Sequence, residues 1–327
     1  MNSSRELHNR AVQMLLIGTM AWGVSFPVMK TAGLVMSKAT PETSTWFHAA
    51  LLMSARFGFA GLVLILLNWR SLTQFTRLEI QHGVGLGLFG GAGILFQMDG
   101  LAYTHASTSA FLTQGYVLVI PWIVALRDRH PPRWNVLASS ALMLVGAAIL
   151  TEFDFNTMKL GRGEIETLIG SALFTGQILW LERPVYAANN TQRFSIVMFV
   201  TMAAVMLPVA LLTMRTPHNL WLAISAPGMP LFITILVLIC TLVAYMLMNH
   251  WQKHVGANEA GIIYGAEPIF ALGFALFLPG FFSAWAGVSY TNESLTRPVI
   301  IGGAIILAAI VLVQLNFQKR LPTPSKN

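Results

Sequence analysis

Residues 261–272 read GIIYGAEPIFAL, an apolar run that holds one carboxylate, Glu267, followed at once by Pro268. A charged side chain at the centre of a bilayer costs about 2.5–3.5 kcal/mol on insertion scales, and proline leaves a helix carbonyl without its N–H donor. If a helix begins near Asn258, Glu267 lies roughly 14 Å along it, near the middle of a membrane. The stretch predicts a broken membrane helix with a functional acid. A buried acid that only fixes packing beside the kink is the alternative.

The rest of the 327-residue chain is similarly apolar. Hydrophobic residues make up 55% of it and charged residues 10%, with a mean hydropathy of +0.64, whereas soluble domains carry about 25% charged residues. A segment that crosses about 30 Å of hydrocarbon must be helical, because lipid cannot pair the edge of an open strand. Ten such segments are predicted, at 11–36, 46–67, 80–101, 107–126, 134–151, 163–182, 194–213, 229–251, 258–279 and 297–316. The sequence therefore predicts an all-α polytopic membrane protein with ten transmembrane helices.

The positive charges orient this protein in the membrane. If the N-terminus is placed in the cytoplasm, most Lys and Arg residues fall in the segments on the cytoplasmic side. The positive-inside rule then favours a multi-pass protein of the cell (inner or plasma) membrane with both termini cytoplasmic. The net charge of +7 is thus a topology signal, and no nucleic-acid partner is expected. The single cysteine, Cys240, cannot form an internal disulfide.

An internal repeat is visible in the sequence. YTHASTSAFLTQGYVLVIP (103–121) resembles QKHVGANEAGIIYGAEPIF (252–270) at an offset near 150, which brings Gly115 onto Gly265. At a similar offset GTMAWGVSFPVMK (18–30) meets GSALFTGQILWLE (170–182). Each copy would hold five helices, and five is odd, so the second copy must enter the membrane in the opposite direction. Inverted repeats of this kind are typical of secondary transporters, whose binding site lies near the bilayer midplane between the halves.

The two predicted halves are residues 1–151 (first repeat, helices 1–5) and 152–327 (second repeat, helices 6–10). The chain resembles the EamA branch of the drug/metabolite transporter superfamily in several stretches: AWGVSF (21–26), SARFGFAGLVL (54–64), GLFGGAGILFQMDGLAYTHASTSAFL (87–112), TLVAYMLMNHWQKHVGANEAGII (241–263), AEPIFAL (266–272) and ESLTRPVIIGGAIILAAIVL (293–312). The resemblance implies a central cavity surrounded by helices 1–4 and 6–9. It also implies alternating-access transport, often export, of amino acids or other small polar metabolites.

Polar and aromatic side chains within the predicted helices are candidates for substrate binding, because such groups need partners that lipid does not offer. Glu267 would hold a cationic group of the substrate or carry a coupling proton, and Tyr264 lies on the same helix face. Gln114 occupies the place of Tyr264 in the first repeat. The predicted substrate-binding residues are Glu267, Tyr264, Gln114, Trp22, Gln97 and Arg56. For most aromatic residues the alternative is ordinary packing.

Two interpretations are open for each of three charged residues, Arg56, Lys30 and Asp99. Arg56, deep in helix 2, would bind a carboxylate or pair with Glu267, or else tie helix 2 to a neighbouring carbonyl. Lys30 and Asp99, near the outer ends of helices 1 and 3, are predicted as a gating pair. The alternative is a solvated interfacial pair of little energetic weight.

No catalytic residue, metal site or cofactor is predicted. GLGLFG (85–90) fits a dinucleotide fingerprint but follows no strand, and one pair of histidines, His250 and His254, is too little for a metal centre. The expected partners are a small-molecule substrate, the lipid bilayer and, as one option, a coupling proton. The alternatives are an intramembrane enzyme that uses His250, His254 or Glu267, and a non-transporting scaffold or sensor. Substrate identity, direction, coupling ion and oligomeric state are not determined by the sequence.

Overall fold

A computed structural model describes residues 2–104, 106–150 and 161–318. The regular secondary structure in these ranges consists of α-helices, short 3₁₀ turns and one π-helical turn, and no strand occurs there. The all-α prediction is therefore confirmed for this part of the chain. The predicted boundary between the halves, after residue 151, lies outside the described residues.

The described residues form fifteen α-helices, numbered here along the chain. They are α1 (Asn2–Ala39), α2 (Thr45–Leu67), α3 (Arg77–Gly100), α4 (Ala106–Thr113), α5 (Tyr116–Asp128), α6 (Trp134–Leu150), α7 (Arg162–Leu181), α8 (Thr191–Thr213), α9 (His218–Ser225), α10 (Met229–Val237), α11 (Ala244–Trp251), α12 (Ala257–Tyr264), α13 (Glu267–Ala275), α14 (Leu278–Ala286) and α15 (Arg297–Gln318). A π-helical turn at Leu238–Val243 joins α10 to α11 without a break in the chain's direction. Short 3₁₀ turns follow α2, α7 and α11.

Four helical segments of the described ranges are long and apolar enough to cross a membrane: Arg5–Ala39, Thr45–Leu67, Thr191–Thr213 and Met229–His254. A fifth is reached if Ala257–Ala275 and Leu278–Ala286, which bend by 54°, count as one. The other predicted segments are also largely helical, but they fall short for identifiable reasons. Glycines and polar residues dilute α3, a break separates α4 from α5, and α6 has only 17 residues. The ten-helix membrane arrangement therefore stays a prediction.

Side-chain caps define where several helices begin. The Ser44 hydroxyl accepts a hydrogen bond from the Phe47 N–H at the start of α2. At the start of α3, Thr76 and Glu79 form a reciprocal capping box. Such caps satisfy N–H groups that have no partner within the helix, and each contributes about 1 kcal/mol.

Two helices are broken near their middle, at matching places in the two predicted halves. α4 ends at Thr113 and α5 begins at Tyr116, while α12 ends at Tyr264 and α13 begins at Glu267. In the second case Pro268 is the second residue of the new helix, where its missing N–H costs nothing. Two turn residues therefore interrupt the helix directly before Glu267, which begins α13, while the large bend of 54° lies further on, between Ala275 and Leu278.

The helices that carry the fold pack in pairs across the two predicted halves. α2 packs against α8, α6 against α15, α3 against α7 and α8, and α1 against α11 and α13. Glycines allow two of these crossings. A Cβ added to Gly100 would lie 2.8 Å from the Gly163 carbonyl oxygen, and the reverse distance is also 2.8 Å. Backbones in contact at this distance leave no room for any side chain.

The α6–α15 crossing offers a stability test with a built-in control. A Cβ at Gly302 would lie 2.5 Å from the Gly146 carbonyl oxygen, whereas one at Gly303 would meet only the Leu150 side chain at 3.8 Å. We expect Gly302→Ala to destabilise the protein by about 1–3 kcal/mol through overpacking. Gly303→Ala should be neutral or slightly stabilising, because alanine favours the helix. Thermal unfolding of the two purified variants beside the wild type measures this, and equal melting temperatures would contradict the packing.

Candidate functional site

A cavity lies in the middle of the helical assembly and encloses about 560 Å³ of unfilled space, including its mouth. The centres of water-sized molecules can occupy about 60 Å³ of this space, so the cavity itself is small. Its walls come from α1, α2, α3, α4, α5, α7, α11, α12 and α13, whereas the described parts of α6, α8 and α15 contribute no lining residue. The lining residues are Trp22, Ser25, Arg56, Ile94, Gln97, Thr113, Tyr116, Phe174, Gln177, Ile178, Tyr245, Met248, Tyr264 and Glu267.

Glu267 supplies a negative group to this cavity. It lies deep in the protein but keeps some accessible surface, because it faces the cavity. Its position in the first turn of α13 is one where the helix dipole favours an anion. The fully buried Gln114 side chain lies within hydrogen-bonding reach of Glu267. Gln114 also accepts a hydrogen bond from the Tyr116 hydroxyl at 2.9 Å through its Oε1, which leaves its NH₂ group to donate to the carboxylate.

Arg56 supplies the positive group and is held in place from behind. Its Nε donates to the Thr241 hydroxyl at 2.6 Å and its Nη2 to the Cys240 carbonyl at 2.7 Å. Both partners belong to the π-helical turn, a type of irregularity that is frequent at functional sites. Among the described residues, the third nitrogen, Nη1, has the Met29 sulfur as its one hydrogen-bond partner, at 3.5 Å. A thioether is a weak acceptor, so this nitrogen could exchange it for a stronger one.

The two opposite charges therefore share one cavity. Arg56 and Glu267 attract each other electrostatically, yet among the described residues they form no direct salt bridge within 4 Å. Their charged atoms are therefore more than 4 Å apart. Buried charges are retained where they are compensated, and here each helps to compensate the other.

Aromatic rings form one wall of the cavity. Trp22 makes edge-on contacts with Tyr245 and Tyr264, with ring centroids 5.2 and 5.4 Å apart. The Tyr264 hydroxyl donates to Gln252 Oε1 at 2.9 Å, and Gln252 Nε2 donates to the Ile178 carbonyl at 2.9 Å. This chain of bonds ties α12 to α7 beside the cavity and fixes the Tyr264 ring.

Two buried donors at the cavity have no protein acceptor among the described residues. They are Trp22 Nε1 and Gln177 Nε2. A third donor at the cavity, the NH₂ group of Gln97, donates to the Thr113 hydroxyl at 2.9 Å. A buried donor without an acceptor costs roughly 1–3 kcal/mol. Water or a polar ligand would supply the missing acceptors.

The structure brings most of the predicted binding residues together. Glu267, Tyr264, Trp22, Gln97 and Arg56 line the cavity, and Gln114 lies directly behind its wall as the partner of Glu267. Their roles in binding stay predictions.

The predicted gating pair is not formed in this structure. Lys30 donates to the Leu101 carbonyl at 2.9 Å and lines a second cavity with His48 and Thr45, near the start of α2. Asp99 instead pairs with Arg162 at 2.5 Å. The physical reason is the close crossing of α3 and α7, which places the first residue of α7 beside the end of α3.

Other lining residues were missed or passed over at the level of sequence. Phe174, Thr113 and Met248 are ordinary residues for an apolar helix, and no pattern distinguishes them. Tyr116 was distinguishable, because it begins the second half of a broken helix as Glu267 does in the other half.

Comparisons with known proteins agree with the helical architecture. No protein-family model matches the sequence. A relative from Archaeoglobus fulgidus, named an uncharacterized transporter, is 26% identical over 312 residues that cover 92% of this chain and 84% of the relative. A solved crystal structure of another protein superposes with a TM-score of 0.63 at 15% identity, covering 93% of this chain and 99% of the other. That second likeness shows a shared fold along nearly the whole chain.

The anchoring of Arg56 can be tested by stability measurements. Arg56→Met keeps the unbranched stem of the side chain. It removes the two N–H donors that bind the π-helical turn and the positive charge that shares the cavity with Glu267. We expect a loss of about 3 kcal/mol in the free energy of unfolding. Thr241→Val, which removes a single acceptor, should cost about 1 kcal/mol. Denaturant or thermal unfolding of both variants checks the order, and an Arg56→Met protein as stable as Thr241→Val would contradict the anchoring.

Proposed function

We propose that the protein is a secondary transporter, an exporter of amino acids or similar small polar metabolites that works by alternating access through the central cavity. The observation that carries this proposal is the pair of opposite charges, Arg56 and Glu267, on the walls of one cavity between helices of both predicted halves. The relative named a transporter, aligned over most of both chains, supports the same class of function.

The proposed architecture is ten transmembrane helices in two inverted repeats, residues 1–151 and 152–327, as in EamA-type permeases. Helix pairing supports it. In the two repeats α1 corresponds to α7, α2 to α8, α3 to α11 and α6 to α15, so the pairs α2–α8 and α6–α15 each join equivalent helices. The pair α3–α7 has its equivalent in the pair α11–α1, which is also in contact. The broken helices support it as well, because both breaks fall at equivalent places and border the cavity. Discontinuous helices in corresponding positions of two halves are characteristic of transporter binding sites. The protein would lie in the cell membrane with both termini in the cytoplasm.

The chemistry of the cavity favours a zwitterion. A substrate carboxylate would exchange with the Met29 sulfur at Arg56 Nη1, since a guanidinium binds a carboxylate far better than a thioether. A substrate ammonium group would face Glu267. The rings of Trp22 and Tyr245 would contact an apolar side chain and, through their π faces, also favour the cation.

Glu267 has a second possible role within the same function, as the carrier of a coupling proton. The two roles differ in one testable respect. A carboxylate that only binds an ammonium group keeps part of its affinity as an amide, whereas a proton carrier loses its coupling altogether when it cannot titrate.

The enzyme alternative has no specific observation in its favour. His250 and His254 lie with ring centroids 6.4 Å apart. In the described part of the chain no group of three or more His, Cys, Asp or Glu side chains converges in a way that could hold a metal ion. A scaffold or sensor would not require two charges around an unfilled central cavity.

The test is counterflow into proteoliposomes with a panel of labelled amino acids and polar metabolites. We expect accumulation of at least one amino acid by the wild type, and a loss of about tenfold or more in Glu267→Gln, because a neutral amide replaces a charge at the substrate. Glu6→Gln, the same substitution at an exposed residue, should accumulate like the wild type.

The outcomes separate the alternatives. Equal accumulation by wild type and Glu267→Gln would make Glu267 a structural residue. Counterflow retained in Glu267→Gln with loss of uphill transport driven by a pH gradient would identify Glu267 as the proton carrier. No accumulation of any compound on a broad panel would contradict the transporter proposal.

A further inference from the structure

A second group of charges, two buried carboxyl groups and one exposed arginine, lies at the crossing of α3 and α7. Asp99 is wholly buried and Glu166 is 7% exposed. The Arg162 side chain bridges them, since its Nη2 lies 2.5 Å from Asp99 Oδ2 and its Nε 2.8 Å from Glu166 Oε1. Its Nη1 donates to the Tyr103 hydroxyl at 2.7 Å, and the guanidinium stacks on that ring 4.2 Å from the centroid. All three guanidinium nitrogens thus have a partner.

The other oxygen of each carboxyl group has none. Asp99 Oδ1 and Glu166 Oε2 are buried and have no donor among the described residues, although the two carboxyl groups lie within hydrogen-bonding reach of each other. Two ionised carboxylates are both acceptors and cannot bond to each other. A single proton between them would turn this repulsive contact into a hydrogen bond.

Charge balance also indicates one bound proton. One arginine neutralises one carboxylate, so a fully ionised cluster would leave a net negative charge in a buried place. Two like charges within hydrogen-bonding reach of each other make it costly to ionise both groups, and one shared proton removes that cost. With one proton bound, the cluster of Asp99, Glu166 and Arg162 is neutral.

We propose that Asp99 and Glu166 form a proton-binding site that holds one proton between their carboxyl groups at neutral pH. Arg162 is the positioning residue, because it binds one oxygen of each carboxyl group and leaves the other oxygen of each without a protein donor among the described residues.

The place of this site in the fold indicates what the proton does. α3 belongs to the first predicted half and α7 to the second, and their backbones touch at Gly100 and Gly163 beside the cluster. When the proton is bound, the Asp99–Glu166 hydrogen bond adds to this contact. When the proton leaves, two carboxylates repel each other across it. Proton release therefore weakens the contact between the halves as the pH rises, and proton binding restores it.

Other titratable groups nearby affect the site less directly. Tyr103 contacts Arg162, and Glu164 accepts a hydrogen bond from Thr104 at 2.5 Å. From α1, Lys30 donates to the Leu101 carbonyl. The predicted topology places this end of α3 and α7 at the outer surface, so the site would exchange protons with the outside. The proton site itself does not depend on transport; its use in an alternating-access cycle rests on the proposed function.

Infrared spectroscopy of the full-length protein in nanodiscs tests the site directly. We expect the wild type at neutral pH to show a C=O stretching band of a protonated carboxylic acid that is missing from Glu166→Gln. The glutamine keeps the shape of the protonated acid and donates to Asp99 through its NH₂ group, so the variant should fold. Glu164→Gln, a neighbouring carboxyl group outside the pair, should keep the band, and so should Glu267→Gln.

The difference between wild type and Glu166→Gln cancels any signal from Glu267, so this result stands apart from the counterflow experiment. A wild-type band that remains in Glu166→Gln, or no band at any pH at which the protein is folded, would overturn the proposal. Failure of counterflow with the band present would overturn the transport proposal alone.

The consequence for the α3–α7 contact has its own test. Cys240 is the single native cysteine and is buried, so a cysteine placed at the wholly buried Thr167, against Gly100, can be followed with a soluble maleimide. We compare the maleimide reaction rate of Thr167→Cys with that of the double variant Thr167→Cys/Glu166→Gln. The ratio of the two rates should rise with pH by up to about tenfold per pH unit, because release of one proton sets that limit. The ratio of the two rates removes the ionisation of the thiol itself, and a constant ratio would overturn the pH-dependent contact.

Discussion

The cost of placing charge inside an apolar helical protein is the constraint on which the rest of this structure depends. Glu267 and Arg56 occupy positions where lipid and apolar side chains cannot solvate them, so the fold supplies substitutes. Glu267 receives a helix N-terminus and the amide of Gln114. Arg56 receives the carbonyl and hydroxyl groups of a π-helical turn. Both substitutes require irregular backbone, which is why the broken helix and the π turn occur beside the cavity. In this sense the irregularities of the helices and the charges of the cavity have a single cause.

The same constraint has a different solution at the crossing of α3 and α7. There, one arginine and, by our inference, one proton compensate Asp99 and Glu166. The glycines beside them permit the approach, because a Cβ on either Gly100 or Gly163 would hold the helices apart. The cavity thus has two charges that a ligand can separate, whereas the crossing has three charges whose balance depends on pH.

Much of the candidate site was visible in the sequence because polar residues are conspicuous in apolar segments. Glu267, Tyr264, Trp22, Gln97 and Arg56 were identifiable on that ground alone, and all of them line the cavity. Which groups contact each other was not visible. Lys30 and Asp99 were paired as opposite charges near the same surface, but Asp99 binds Arg162, which is 63 residues away along the chain. Arg162 lies in a predicted loop region at the beginning of a helix, where an arginine by itself does not indicate a functional role.

The sequence by itself determined that the chain is helical and apolar, and that one helix is interrupted next to Glu267 and Pro268. These properties follow from hydropathy, from charge and from proline's missing N–H, which act over a few neighbouring residues. Only the tertiary structure decided that Arg56 binds a turn 184 residues away, that Gln114 supports Glu267, and that Asp99 meets Glu166. Such contacts depend on how helices cross, and the crossings depend on glycine positions and side-chain volumes from both partners at once. Local chemistry marks a residue as important, but packing between distant helices chooses its partner.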